Sequence, residues 1–201
     1  RDRIARIWDI ESGADLRKFS GENGHTDSVN SSVFSPDADG KHILTASDDG
    51  TVKLWDAATG DVVGTFNGHA GAVNSAVFSP DGSLMLSASS DGTARLWDTE
   101  SGEELVRYEG HAEAVLAARF SDDAKYIVTA GADDTARVWN RETGEPLLAG
   151  DADHPGVLSG HTARVTSAAF SPGNNPSRVV TASGDGTVKL WDLNSQKEIL
   201  T

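Results

Sequence analysis

Four times along the 201 residues a histidine, a hydroxyl, an aspartate and a tryptophan recur in the same order. The sets are His25, Thr45, Asp49 and Trp55; His69, Ser87, Asp91 and Trp97; His111, Thr129, Asp133 and Trp139; and His161, Thr181, Asp185 and Trp191. A hydroxyl, an imidazole and a carboxylate are the parts of a nucleophilic acyl-transfer site, where the imidazole takes the hydroxyl proton and the carboxylate orients the imidazole. The spacing argues for another use. The aspartate always precedes the tryptophan by six residues, and the Ser or Thr precedes the aspartate by four. Catalysis needs one activated nucleophile beside an oxyanion hole in a pocket, whereas this set recurs fourfold and always carries an indole. A buried indole N–H needs an acceptor; a hydroxyl can serve while donating to one imidazole nitrogen, and the other nitrogen can donate to the aspartate. Such a relay ends in a charge-assisted bond that ties a loop to a turn. No residue is therefore assigned a catalytic role.

The elements that position these sets are clearest in residues 69 to 98, HAGAVNSAVFSPDGSLMLSASSDGTARLWD. Val73 to Phe78, Leu84 to Ser89 and Thr93 to Trp97 read as short strands a, b and c, because β-branched and apolar residues are bounded by Pro, Gly and Asp turn signals. A fourth strand, d, follows each tryptophan: Asp15 to Phe19, Val62 to Phe66, Glu104 to Tyr108, Pro146 to Ala149 with a resumption at Val157 left open, and Lys197 to Leu200. Ser-Pro-Asp or Ser-Pro-Gly joins a to b at Ser35, Ser79 and Ser171, with Ser121-Asp122-Asp123 as the exception. Asp-Gly joins b to c at Asp49, Asp91 and Asp185, where a positive φ is required; the third copy has Asp133-Asp134. Turns from Asp9 to Gly13, Asp56 to Gly60, Asp98 to Gly102 and Asn140 to Gly144 join c to d, and the last copy departs from them with Gln196. No stretch has a helical period.

Trp55, Trp97 and Trp139 stand 42 residues apart, as do His69 and His111, and the longer steps resolve into localised insertions. This period, with Gly-His early and Trp-Asp late in each copy, resembles the WD40 repeat family over nearly the whole chain. The resemblance implies an all-β propeller of four-stranded antiparallel blades, with strand a nearest the central channel and d at the rim. The expected arrangement is a half blade at residues 1–20, then blades at 21–66, 67–109, 110–158 and 159–201, in one repeat array. Four blades and a half imply an open arc of a larger ring of about seven blades, with the chain a fragment and the remaining blades its partners. The uncovered end is expected to expose Ile4, Ile7 and Trp8. The family's structural tetrad matches the four sets above. Its partner-binding face, made by the d–a and b–c loops, would place Ser28, Ala72, Ala114 and Arg164 beside Asp48, Ser90, Ala132 and Gly184.

The function this implies is a non-enzymatic protein–protein interaction scaffold; the alternative is the regulatory or targeting part of a longer kinase or protease. With 17 basic against 31 acidic residues the net charge is −14, which disfavours nucleic acid and anionic membranes and favours basic peptides or surfaces. On the loop face Asp27, Asp48 and Glu113 outnumber Arg164. All thirteen aromatic residues fall on strand positions, which leaves none for a methyl-lysine cage or a base-stacking platform. There is no cysteine, hence no disulfide or thiolate metal site, and a cytoplasmic location is expected. No signal peptide and no membrane span are expected. No cofactor and no metal is implied; His154 with Asp151 and Asp153 reads as a solvated loop. The basic residue two before each tryptophan (Arg6, Lys53, Arg95, Arg137, Lys189) is expected to lay its stem over the adjoining blade and not to bind.

Overall fold

The computed structural model describes residues 3–147, 155–173 and 176–201. It is all-β. A two-stranded hairpin, β1 (Ala5–Trp8) and β2 (Asp15–Phe19), precedes four sheets of four antiparallel strands. The first holds β3 (Val29–Phe34), β4 (His42–Ser47), β5 (Val52–Asp56) and β6 (Val62–Phe66); the second β7 (Val73–Phe78), β8 (Leu84–Ser89), β9 (Thr93–Asp98) and β10 (Glu104–Glu109). The third holds β11 (Val115–Phe120), β12 (Tyr126–Gly131), β13 (Thr135–Asn140) and β14 (Val157–Ser159); the fourth β15 (Val165–Phe170), β16 (Arg178–Ser183), β17 (Val188–Asp192) and β18 (Lys197–Leu200). Strand β3 packs by β7, β7 by β11 and β11 by β15, and the first and fourth blades do not meet as neighbours. The propeller is an open arc.

The third blade pairs its outer strand at two separate places, one of them the resumption at Val157 that the sequence left open. Pro146 makes one bridge to Trp139, and Leu147 N–H donates to Val138 at 2.8 Å; the ladder then resumes at Val157 opposite Arg137. Among the described residues, strand d thus pairs as a single bridge at Pro146 and as β14 at Val157–Ser159. Leu148 and Ala149 lie outside the described residues, as do Asp151, Asp153 and His154.

The core lies between blades. One apolar cluster joins Leu44, Val52 and Phe66 of the first blade to Val73, Met85 and Trp97 of the second; another joins Leu86, Leu96 and Tyr108 to Val115, Ile127 and Trp139. A third joins Val128, Val138 and Leu158 to Val165, Val179 and Trp191. Strands β4, β8 and β12 are thus buried on both faces. The ends differ: Val180 and Val188 are 39% and 57% exposed, whereas the equivalent Leu86 and Ala94 are fully buried. At the other end Trp8 is 55% exposed, but Ile7 packs towards Phe19, Ile43 and Trp55, against the expectation that both would be uncovered. Side chains alternate along a strand, so neighbours cannot share a face. Ile4 is half-buried.

Turn chemistry is local. The Ser79 hydroxyl donates to Asp81 at 2.6 Å, and Ser121 does the same to Asp123 at 2.7 Å, so the copy without proline keeps its Ser-x-Asp bond. The residue after each tryptophan caps the next turn: Asp56 accepts from Thr59 N–H and Asp98 from Ser101 N–H, both at 2.7 Å, and Asn140 from Thr143 N–H at 3.0 Å. Among the described residues, four non-glycine residues sit in the left-handed region where sister repeats have glycine: Arg3 (φ 61°), Ala124 (φ 53°), Asp134 (φ 65°) and Gln196 (φ 53°). An L residue there costs about 1–2 kcal/mol, less for Asp, against a glycine's greater loss of backbone freedom on folding. Asp134→Gly is predicted to raise stability by a few tenths to about 1 kcal/mol. The check is the urea midpoint at unchanged slope; a lower midpoint would show that Asp134 makes a contact worth more than its strain.

Candidate functional site

In every blade the tetrad residues meet. Trp55 Nε1–H donates to Thr45 Oγ1 at 2.8 Å, Thr45 Oγ1 lies 2.7 Å from His25 Nε2, and His25 Nδ1 lies 2.9 Å from Asp49 Oδ2. The second set repeats this at 2.9, 2.8 and 2.8 Å, the third at 2.9, 2.8 and 2.9 Å and the fourth at 2.8 Å throughout. One proton assignment satisfies all members: the indole donates to the hydroxyl, the hydroxyl to Nε2, and Nδ1–H to the carboxylate. The hydroxyl oxygen already takes the indole hydrogen and its own hydrogen goes to the ring. It is the middle of a buried relay.

The carboxylate does more than the relay requires. Asp49 Oδ2 also accepts Thr26 N–H at 2.9 Å, while Oδ1 accepts Thr51 N–H at 3.0 Å and the Thr51 hydroxyl at 2.7 Å. The same hydroxyl bond joins Thr93 to Asp91, Thr135 to Asp133 and Thr187 to Asp185. This fifth member was missed from sequence, although a threonine two after every tetrad aspartate was the available signal. A sixth is the serine two before it: Ser47, Ser89 and Ser183 donate to the loop carbonyls of Asp27, Gly71 and Ala163. Gly131 replaces it in the third copy, where a side chain would run into the His111 ring and the Asp133 carboxylate.

The electrostatics follow. Burial disfavours ionised Asp49, but hydrogen bonds from Thr51, Thr26 and His25 outweigh it and hold the carboxyl at about 2. Asp91 and Asp133 are lowered against the same burial by the same kinds of bond, and in Asp185 the Thr187 hydroxyl leads. Burial pushes His25, His69 and His111 below the ordinary histidine value despite the carboxylate beside each. These three rings are thus neutral at pH 7.

The loop-face residues come together in pairs. Asp48 N–H donates to the Ser28 carbonyl, Ser90 to Ala72, Ala132 to Ala114 and Gly184 to Arg164, all at 2.8–2.9 Å. Asp27, Ser90, Glu113 and Arg164 are exposed and Asp48 half-buried. Ser28 is buried at 7% exposure and presents backbone to that face. Asn30, on the bulge of β3, donates to Asp48 Oδ1 at 2.7 Å and to the Val73 carbonyl at 3.0 Å, which links the pair to the next blade. The heads of three of the basic residues are held by their own blade's outer strand: Arg95 by Glu104 at 2.7 Å, Lys189 by Glu198 at 2.7 Å and Lys53 by Thr65 at 3.3 Å. On the opposite face, a cleft between the first two blades is lined by His42, Val63, Asp81, Asp98 and Glu100. Among the described residues no group of three His, Cys, Asp or Glu side chains is placed to hold a metal ion.

A family model described as WD domain, G-beta repeat matches residues 15–56, 60–98, 102–140 and 152–192. The nuclear distribution protein PAC1 of Komagataella phaffii is 35% identical over 65 residues, which are 32% of this chain and 13% of that protein. The THO complex subunit 3 of Arabidopsis thaliana is 44% identical over 63 residues, 29% of this chain and 19% of that one. Gem-associated protein 5 of Homo sapiens is 56% identical over 36 residues, 18% of this chain and 2% of that protein. The chain thus spans less than a fifth of the length of each of these relatives.

Two predictions arise from the relay. Trp97→Phe keeps the ring against Phe66, 5.9 Å away, but removes the donor to buried Ser87, and is expected to cost about 1–3 kcal/mol. Equilibrium unfolding measures this; a variant as stable as the parent would show that the indole bond contributes nothing. The second concerns acid. A histidine whose folded pKa is lowered contributes stability that is complete above about pH 6.5 and lost as pH falls towards the folded value. The aspartates add a contribution complete above about pH 4 and lost, for Asp49, as pH falls through about 2. Both have the same sign, so the urea midpoint should fall from about pH 7.5 to about pH 5 and fall again below about pH 4. Added salt damps the repulsion of a chain of charge −14; a midpoint that rises towards pH 5 would mean that the rings are charged in the fold.

Proposed function

We propose that this chain, which belongs to the WD-domain, G-beta-repeat family, is a non-enzymatic scaffold that binds other proteins through the loop face of its propeller. The carrying observation is that each Ser/Thr–His–Asp set is consumed by an indole, with every proton of the relay committed inside the blade. A nucleophile so engaged has neither a free base nor an oxyanion hole. The names of the THO complex relatives, which describe subunits of an assembly, support the same reading.

The preferred partner is a basic segment. Exposed Asp27 and Glu113 and half-buried Asp48 stand on that face against the single base Arg164, and the net charge of −14 strengthens the attraction. The same field opposes nucleic acid and anionic membranes. Titration with lysine- and arginine-rich peptides is expected to show affinity that falls steeply with salt. Glu113→Lys and Asp48→Lys should each weaken binding by about 1 kcal/mol. Glu113 is the cleaner test, because Asp48 also accepts the Asn30 bond. Affinity that does not change between low and high salt would overturn the basic-partner reading.

A further inference from the structure

Among the described residues, the c–d ladder of the third blade lacks an oxygen that its sisters supply. Glu104 stands opposite Trp97 and Glu198 opposite Trp191 in the c–d ladders, and each carboxylate reaches back to the base two residues before the tryptophan. Arg95 Nη1 lies 2.7 Å from Glu104, and Lys189 Nζ lies 2.7 Å from Glu198 and 3.0 Å from the Thr201 hydroxyl. In the first blade Thr65, opposite Lys53, supplies a hydroxyl at 3.3 Å. In the third blade these places belong to Pro146, opposite Trp139, and Val157, opposite Arg137. Neither side chain carries an oxygen.

Arg137 is left accordingly. Its Nε is buried and, among the described residues, has no hydrogen-bond partner. The guanidinium rests on the Gly110 backbone, where an added Cβ would lie 2.8 Å from Nη1. Among the described residues, the carboxylate whose charge acts on it, Asp133, is already bonded to His111, Ala112 N–H and the Thr135 hydroxyl. Burial pushes the Arg137 guanidinium below the usual arginine range, a penalty that a matching anion would relieve. Arg95, under Glu104, is only 5% exposed, whereas Arg137 is partly exposed.

We propose that Arg137 is a receptor for a carboxylate from a protein partner, docked against Gly110 in the position that Glu104 fills in the preceding blade. The guanidinium fork matches a carboxylate in two parallel bonds, and this sheet geometry already places one beside Arg95. The site lies at the edge of the loop that carries Glu113. It takes a ligand of opposite sign to the basic segment above and does not rest on that reading.

The test follows the Arg137 Nε–H resonance of the 201-residue chain as acetate replaces chloride at constant ionic strength. A saturable shift is expected in the parent. Pro146→Glu supplies the carboxylate internally, so its resonance should start shifted and ignore acetate. Two peptides then distinguish the sources, one with an internal glutamate and an amidated end, the other without acidic side chains but with a free C-terminal carboxylate. At least one should bind and lose about tenfold in affinity in Arg137→Gln, the fold itself checked by thermal unfolding. No saturable acetate shift overturns the proposal. Binding of acetate but of neither peptide, an adventitious ion only, overturns it as well, as does peptide binding that Arg137→Gln leaves unchanged.

Discussion

The buried indole N–H is the constraint from which the rest of each blade follows. Trp55, Trp97, Trp139 and Trp191 are at most 2% exposed, because each ring is covered by its own blade and by the blade before it. Phe19 meets Trp55 edge-on at 5.6 Å, Phe66 meets Trp97 at 5.9 Å and Tyr108 meets Trp139 at 5.9 Å. A donor so enclosed must be satisfied inside. The hydroxyl on the neighbouring strand satisfies it, imidazole Nε2 accepts the hydroxyl's hydrogen bond, and the carboxylate that orients the imidazole gathers the loop before strand a. One ring therefore both closes its own blade and anchors the blade before it.

That arrangement makes the molecule a chain of nearest neighbours. The apolar clusters straddle blade boundaries and none lies within a single sheet, so a blade is buried only as far as its neighbours cover it. The same valine or leucine position is fully buried in the second blade and exposed in the fourth. Charge plays a secondary part, chiefly in polar heads pinned along the c–d ladders and in aspartates that stay ionised to accept bonds from turn backbone.

The third blade shows how much such an array tolerates. Gly131 has let the histidine and aspartate move into space that a serine fills in the other copies, and His111 Nδ1 now lies 3.0 and 2.9 Å from both oxygens of Asp133. Asp134 holds a left-handed turn that glycine holds elsewhere, and the outer strand pairs with β13 at two separate places, at Pro146 and from Val157. Each departure is absorbed locally because contacts reach only one blade away. The relay, its indole bond at 2.9 Å, survives all three.

What the sequence determined by itself was whatever depends on short spacings: the four-strand unit, the hairpin turns, the tetrad membership and the need for positive φ at Asp134. These are local, since a turn's geometry is set by its own few residues and a tetrad recurs at fixed offsets. The threonine after each tetrad aspartate was visible as a pattern, yet its bond became clear only once the carboxylate's second oxygen was placed. Tertiary structure alone decided which side of β1 faces the first blade, because Ile7 and Trp8 are both apolar and parity is undefined in a four-residue strand. It also decided where strand d resumes after the third tryptophan, since Pro146, Leu147 and Val157 all suit a strand and only the ladder to β13 chooses between them. The fate of the basic side chains was decided in the same way: whether Arg95 or Arg137 has a carboxylate depends on which residue the cross-strand register sets opposite it, and register is a property of two segments together.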